Sequence, residues 1–233
     1  MSELFDRYER ALRRGWAAGG GSVSISGAGR IAGGTYESVS IAGSGTVEGD
    51  LSAREVEVSG SASFRGSVSA EEVSVSGAAR VHGGVKAGIF KAAGALSVEG
   101  LLEASSTVKI AGALQAKGVR APEVRISGSF DVEEGIEGEV MELRLSSDSR
   151  AAVIKGGEVR VRREGKVKPF TLLEKLLRLR RVPEFKVGRI EARTLLVEDV
   201  LVSGDVKAER VELVGQAEVK GQLEGEVARR PSR

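Results

Sequence analysis

One short sequence motif recurs along the first half of this chain at an almost constant interval. In its clearest copies it reads Val56-Glu-Val58-Ser-Gly60, and the next copy starts at Val73. The glycine within the motif returns with spacings of 16, 17, 17, 17, 18 and 16 residues, at Gly27, Gly43, Gly60, Gly77, Gly94, Gly112 and Gly128. An interval held this constant is typical of a solenoid, in which each repeat stacks on its neighbours.

The apolar residues of each repeat keep fixed positions relative to this anchor glycine. They fall four and two residues before it, and four and eight residues after it. In three consecutive copies they are Val39, Ile41, Val47 and Leu51, then Val56, Val58, Phe64 and Val68, then Val73, Val75, Val81 and Val85. Apolar pairs two residues apart indicate short strands with one buried face, and the longer steps leave room for three strands per repeat.

Three short strands per repeat predict an all-β fold, a triangular parallel β-helix with about 16–18 residues per coil and roughly 8–10 coils. Each strand would pair with its counterpart one repeat later, about 4.8 Å away. Right-handed crossovers dominate parallel β structure, so we expect a right-handed coil. The low aromatic content of 4% agrees with a narrow interior filled by small branched side chains.

The motif returns near the end of the sequence. The segment from Gly204 to Gly215 repeats the segment from Gly49 to Gly60 almost position by position. We therefore predict a main β-helix block over residues 22–161, further coils over 190–227 and a disordered tail over 228–233. The last coil of the main block is degenerate, and we assign to its core Val140, Leu143, Leu145, Val153, Val159 and Val161.

Two segments break the repeat and have helical periodicity. Residues 1–18 predict an N-terminal amphipathic helix, with an apolar stripe formed by Leu4, Phe5, Tyr8, Leu12 and Trp16. Residues 162–189 predict a helical insertion, in which Thr171 and Glu174 form a capping box. The apolar face of that helix includes Leu172, Leu173, Leu176 and Leu177.

These two helices have three interpretations that the sequence leaves open. An exposed solenoid end presents strand edges and apolar core, so each helix could cover such a surface as a cap. An amphipathic helix with arginines on its flanks is also typical of binding to a membrane surface. The third interpretation is contact with another protein or with a second copy of the chain.

Composition and motifs argue against catalysis and against bound cofactors. The chain has no cysteine and a single histidine, His82, which we interpret as a solvated surface residue. The sequence contains neither a phosphate-binding loop nor a nucleophile elbow, and its acidic residues are spread out rather than clustered. We predict that the chain is not an enzyme and holds no metal or cofactor.

Charge and hydropathy limit the partners and the location. The net charge is only +2, which argues against nucleic acid as the ligand of the basic stretch from Arg160 to Lys168. The sequence shows neither a spanning apolar segment nor a signal peptide, so we expect a cytoplasmic protein. If the N-terminal helix binds lipid, the protein would lie peripherally on the inner face of the membrane.

The repeated V-x-V-S-G motif followed by V-x-G-x-V, as in Val56–Val68 and Val73–Val85, resembles the bactofilins. The resemblance covers about residues 22–138 well and 194–227 more loosely. It implies a right-handed triangular β-helix that polymerises end to end without nucleotide and serves as a cytoskeletal scaffold. The predicted helices depart from the usual bactofilin pattern of a β-helix between disordered tails.

Two functional hypotheses follow for this chain. In the first, it is a bactofilin-like scaffold that assembles with copies of itself through its terminal coils. Its candidate self-association residues are Val23, Ile25 and Ile31 in the first coil, and Leu213, Val219, Leu223 and Val227 at the other end. In the second, it is a capped solenoid that does not polymerise and binds a membrane surface or a protein partner through its amphipathic helices.

Overall fold

The structure is a computed structural model that describes residues 20–165 and 182–231. All regular secondary structure in these residues is β-strand, arranged as a parallel solenoid of about ten coils. This confirms the predicted β-helix core. Both predicted amphipathic helices, residues 1–18 and Thr171 to Arg181, lie outside the described residues, and the handedness and triangular section of the coil stay predictions.

Nine strands follow one another along the chain, and the longer ones continue through more than one coil. They are β1 (Val23–Phe64), β2 (Val68–Val81), β3 (Val85–Arg120), β4 (Glu123–Leu145), β5 (Ser149–Arg163), β6 (Glu184–Glu198), β7 (Leu201–Val214), β8 (Glu218–Lys220) and β9 (Leu223–Arg230). Strand β9 extends three residues into the segment predicted to be a disordered tail. Strands β5 and β6 likewise include both ends of the predicted insertion over 162–189.

The chain divides into two compact units, Met1–Val124 and Arg125–Arg233. In the first unit, β1 pairs with β2 and β2 pairs with β3, in both cases in parallel. Leu51 lies opposite Val68, and Val68 lies opposite Val85, so partners are 17 residues apart throughout. The repeat interval in the sequence is therefore the register of the sheet.

In the second unit, β4, β5, β6 and β7 pair successively in parallel, and β7 also pairs with β8 and β9. The residues of one buried column are Ile136, Ile154, Ile190, Val206 and Leu223. Ile154 and Ile190 are direct partners although 36 positions separate them in the sequence. The segment between β5 and β6 is thus inserted between two adjacent coils, and the array continues after it.

The predicted apolar positions form the core of the first unit. All twelve residues of the three clearest copies are buried, with exposed fractions between 0% for Val47 and 4% for Val73. The coil buries two further positions, two and ten residues after the anchor glycine, which small side chains such as Ala62 and Ala70 often fill. Sequence analysis missed these positions because alanine gives a weak hydrophobic signal.

The phase assigned to the degenerate coil was wrong at two positions. Val140 is 43% exposed and Val153 is not part of the core, whereas Met141 and Ile154 are buried. The register between β4 and β5 shifts between Val132 and Ile136. Ile136 pairs with Ile154 and Met141 pairs with Val159, so the inward columns pass through Ile154 and Met141 and not through their neighbours Val153 and Val140.

In the first unit, the anchor glycines from Gly43 to Gly112 stack so closely that a side chain has no space. All seven anchor glycines have positive φ angles, which range from 93° at Gly27 to 132° at Gly60 and Gly112. A Cβ atom at Gly77 would lie 2.2 Å from the carbonyl oxygen of Gly60, and one at Gly94 would lie 2.1 Å from that of Gly77. Glycine recurs at this point of each coil because the backbone conformation and the close approach of the neighbouring coil both require it.

Candidate assembly surfaces at the terminal coils

The first coil, residues 20–36, is the beginning of the described solenoid. The Glu37 amide donates a hydrogen bond of 3.1 Å to the Gly20 carbonyl, which fixes where the second coil covers the first. Ile25 is 7% exposed, against 1% for Ile41 above it, and Val23 and Ile31 are half-buried. The three predicted residues therefore lie together on the first coil. Among the described residues, only the second coil covers it.

The last coil comprises β8 and β9. Side-chain carboxylates of the coil before it hold its corners. Asp199 accepts a hydrogen bond of 2.8 Å from the Gln216 amide, and Asp205 accepts one of 3.0 Å from the Gln222 amide. Within the part of the chain that the structure describes, β9 pairs with β7 alone. The outer backbone edge of β9 therefore pairs with no described strand.

Three of the four residues predicted at this end lie in the last coil. Val219 and Leu223 are half-buried and Val227 is 44% exposed. Leu213 lies one coil further in and is 4% exposed, because the last coil covers it. The structure therefore brings together Val219, Leu223 and Val227, but not Leu213.

Arg229 occupies the last-coil position that corresponds to Leu213. The two residues are direct partners in the register of β7 and β9. Sequence reasoning missed this residue, although the alternation from Leu223 through Val227 to Arg229 carried the signal: the second member of the apolar pair is replaced by arginine.

Both terminal coils present the same features in the described residues, an outer strand edge and partly exposed apolar side chains. An unpaired parallel strand edge presents a row of N–H and C=O groups that another chain can extend. The partly exposed valine, isoleucine and leucine side chains beside this edge would lose contact with water in such a joint. Neither coil brings together an acid, a base and a nucleophile.

The charged residues on the sides of the solenoid form ion pairs between neighbouring coils. Arg65 pairs with Glu48 at 3.1 Å, and Lys91 pairs with Glu72 at 2.8 Å. His82 is exposed, and its Nδ1 lies 2.9 Å from the Glu99 carboxylate. Exposed pairs of this kind stabilise a fold only weakly, so they fit a solvated surface.

Within residues 20–165 and 182–231, the one carboxylate with a shifted pKa is Glu142, which belongs to such a side surface of the second unit. Burial tends to raise the pKa of Glu142, but Arg144 donates hydrogen bonds of 2.8 and 3.1 Å to it. Together with the positive charges of Arg162 and Arg125, these bonds hold the pKa of Glu142 below its ordinary value. A carboxylate kept ionised among arginines is an ion-pair network and is poorly suited to act as a general acid.

An open groove of about 860 Å³ runs along one side of the first unit. Small side chains one residue after successive anchor glycines line it: Ala28, Ser44, Ser61, Ala78, Ala95 and Ala113. Arg30 and Arg80 are the charged residues in its lining. The groove contains no cluster of ionisable groups that could perform chemistry.

The structure describes only some of the other residues and features for which the sequence predicts a function. Leu4, Phe5, Tyr8, Leu12 and Trp16 lie outside the described residues, as do Leu172, Leu173, Leu176 and Leu177. Across residues 20–165 and 182–231, no three histidine or acidic side chains are grouped so that they could hold a metal ion. The same residues contain no helix with the length and apolarity needed to cross a bilayer.

Comparison with known proteins finds a family model that matches the first repeats. Residues 14–103 match the family model of the bactofilins, which is described as polymer-forming cytoskeletal. The matched residues include the copies of the motif that carry the resemblance, so the match confirms it. No curated protein and no solved structure matches the chain.

Proposed function

Because residues 14–103 belong to the bactofilin family, we propose that this chain is a cytoskeletal scaffold protein that associates with copies of itself, end to end, through its terminal coils. The association needs no nucleotide, since it rests on strand pairing and apolar contact alone. The observation that carries the proposal is the open backbone edge of a terminal coil beside partly exposed apolar residues, as in the first coil at Val23 and Ile31.

Pairing of strand edges explains why a coil of this kind would self-associate. A coil from a second copy could continue both the hydrogen-bond ladder and the apolar column, as each coil does within the chain. The low charge of the first coil, where Arg30 is the one charged residue between positions 20 and 36, favours this contact. The family description, polymer-forming cytoskeletal, supports the same function.

Electron microscopy and sedimentation of the purified full chain in nucleotide-free buffer test the proposal. We expect assemblies larger than one copy, and no change when ATP is added. Val23→Glu places a charge at the proposed joint of the first coil and should shift the protein toward smaller assemblies. Ser24→Glu is the matched control, because Ser24 is the exposed neighbour and points to the other face of the strand. A chain that stays monomeric at high concentration would refute the proposal.

The alternative function is a solenoid that does not polymerise and binds a membrane surface or a protein partner through the predicted helices. It is supported by the sequence pattern of residues 1–18, whose apolar stripe and arginines are typical of an interfacial helix. In this form the protein would lie peripherally on the inner face of the membrane.

A further inference from the structure

The two terminal coils differ in charge. Between positions 20 and 36 the sequence contains one charged residue, Arg30. Between positions 217 and 230 it contains six: Glu218, Lys220, Glu224, Glu226, Arg229 and Arg230. Two of the six pair with the coil before them, since Lys207 meets Glu224 at 3.6 Å and Arg230 meets Glu212 at 3.0 Å. The other four have no ion-pair partner among the described residues.

Arg229 differs from the other charged residues of the last coil because its register partner is a buried apolar residue. Its column runs through five coils of the second unit by direct pairing, from Leu143 to Val161, Val197, Leu213 and Arg229. The first four are buried, with exposed fractions of 0%, 0%, 0% and 4%. The last coil thus places a guanidinium at a position that belongs to the apolar interior in each coil before it.

A charged residue in an inward column prevents that column from continuing into another molecule. Within one copy, Arg229 is exposed and its long side chain can keep the guanidinium in water. If a second copy stacked on β9, the same guanidinium would leave water inside a column of apolar side chains, which is strongly unfavourable. Inward-pointing charges at sheet edges are a known means by which proteins prevent edge-to-edge association.

The first coil has no comparable obstacle in its described residues. Its inward positions carry Val23, Ile25 and Ile31, so the column that begins there is apolar from its first member. When like ends of two copies meet, the contact is self-complementary and closes after two copies. A molecule with one open and one closed end therefore forms pairs and not long polymers.

From these observations we infer that Arg229 closes the C-terminal coil to assembly, and that two copies of the chain join through their first coils. The inference rests on the proposed self-association and specifies which end takes part. The last coil, with its charged residues, remains outside the joint and accessible in the assembled pair.

Replacement of Arg229 tests the inference on the full chain. Arg229→Leu restores an apolar residue to the column and should convert pairs into long chains. Because a fully buried leucine side chain strengthens a contact about 10- to 100-fold, larger assemblies should appear at correspondingly lower protein concentration. Arg230→Leu is the matched control, since Arg230 neighbours Arg229 but pairs with Glu212 on the side of the solenoid. Arg229→Glu keeps a charge in the column and should remain paired.

Sedimentation velocity over a range of concentrations, with electron microscopy of the same samples, gives the readout, and circular dichroism checks that each variant is folded. Pairs for the unchanged chain and for R230L and R229E, with long chains for R229L, support the inference. Long polymers of the unchanged chain would overturn the inference about Arg229 and leave the proposed self-association intact. Equal elongation of R229L and R230L would have the same consequence. Single copies for all four proteins would refute the proposed function itself.

Discussion

At the scale of single residues, the anchor glycines connect the sequence motif to the fold most directly. Each lies at a backbone conformation that side chains rarely adopt. From Gly43 to Gly112, the carbonyl oxygen of the previous coil also occupies the space where a Cβ would go. Some glycines in the chain meet the first condition alone. Gly49 has a φ of 92°, but a Cβ there would meet nothing within 4 Å. Comparison of Gly77 with Gly49 therefore distinguishes the cost of backbone strain from the cost of a clash with the neighbouring coil.

We expect Gly77→Ala to lower the free energy of unfolding by about 3 kcal/mol, the sum of backbone strain and forced separation of two coils. Gly49→Ala should cost only about 1 kcal/mol, because it adds strain without the clash. Urea-induced unfolding of the two variants beside the unchanged chain measures the difference. Equal losses at the two sites would show that close approach between coils contributes nothing.

Asp199 is the one residue other than glycine with positive φ in the described part of the chain, at 51°. It is 8% exposed, and its Oδ1 accepts the 2.8 Å hydrogen bond from the Gln216 amide at the start of the last coil. We expect Asp199→Ala to cost about 2 kcal/mol, since alanine tolerates this conformation poorly and cannot accept the bond.

Asp199→Asn is the control for this position. Asparagine keeps an acceptor oxygen and adopts the left-handed conformation readily, so its effect should stay within about 0.5 kcal/mol. Hydrogen exchange of the Gln216 amide should accelerate in D199A and not in D199N. Unchanged exchange in D199A would show that the side chain of Asp199 does not hold the corner.

At the scale of the element, the register between β4 and β5 determines which face of the strand is buried. Met141 is fully buried, whereas its neighbour Val140 is 43% exposed. We expect Met141→Ala to cost about 3 kcal/mol, because it leaves a cavity in a closely packed column. Val140→Ala should change stability by less than about 1 kcal/mol. Thermal unfolding of the two variants tests this register. A larger loss of stability in V140A than in M141A would contradict it.

The same element shows how far the sequence could predict the fold. Between Gly27 and Gly128 the glycine spacing reveals both the length of each coil and the buried positions, because glycine is required once per coil. After Gly128, no glycine follows at this interval, because positions 144 to 146 hold Arg144, Leu145 and Ser146. Without that reference, nothing in the sequence marked the next inward pair, and Val140 was assigned to it in place of Met141.

The candidate assembly surface was predictable to a similar extent. Val23, Ile25 and Ile31 follow from the phase of the first repeat, and Val219, Leu223 and Val227 from the last. The position of Leu213 required knowledge that β9 continues to Arg230 and covers it. The role of Arg229 depends on its register with Leu213, which the weak repeat signal of the final coil did not establish.

At the scale of the whole molecule, the membrane alternative concerns residues 1–16, which lie outside the described residues. Their sequence combines an apolar stripe with Arg7, Arg10, Arg13 and Arg14. In an interfacial helix the stripe would enter the lipid boundary and the arginines would meet anionic headgroups. This hypothesis predicts that the full chain co-sediments with vesicles that contain an anionic lipid, and that deletion of residues 1–16 abolishes the binding.

A substitution refines the test, because deletion removes charge and apolar surface together. Leu12→Glu keeps the arginines but interrupts the apolar stripe, so it should weaken vesicle binding at physiological salt, where screening leaves the apolar contribution more prominent. Arg13→Gln keeps the stripe and should weaken binding mainly at low salt. If the deleted chain binds vesicles as well as the full chain, residues 1–16 are not the anchor. Their apolar stripe then has to be explained by contact with protein, either as a cap on the solenoid or as a surface for a partner.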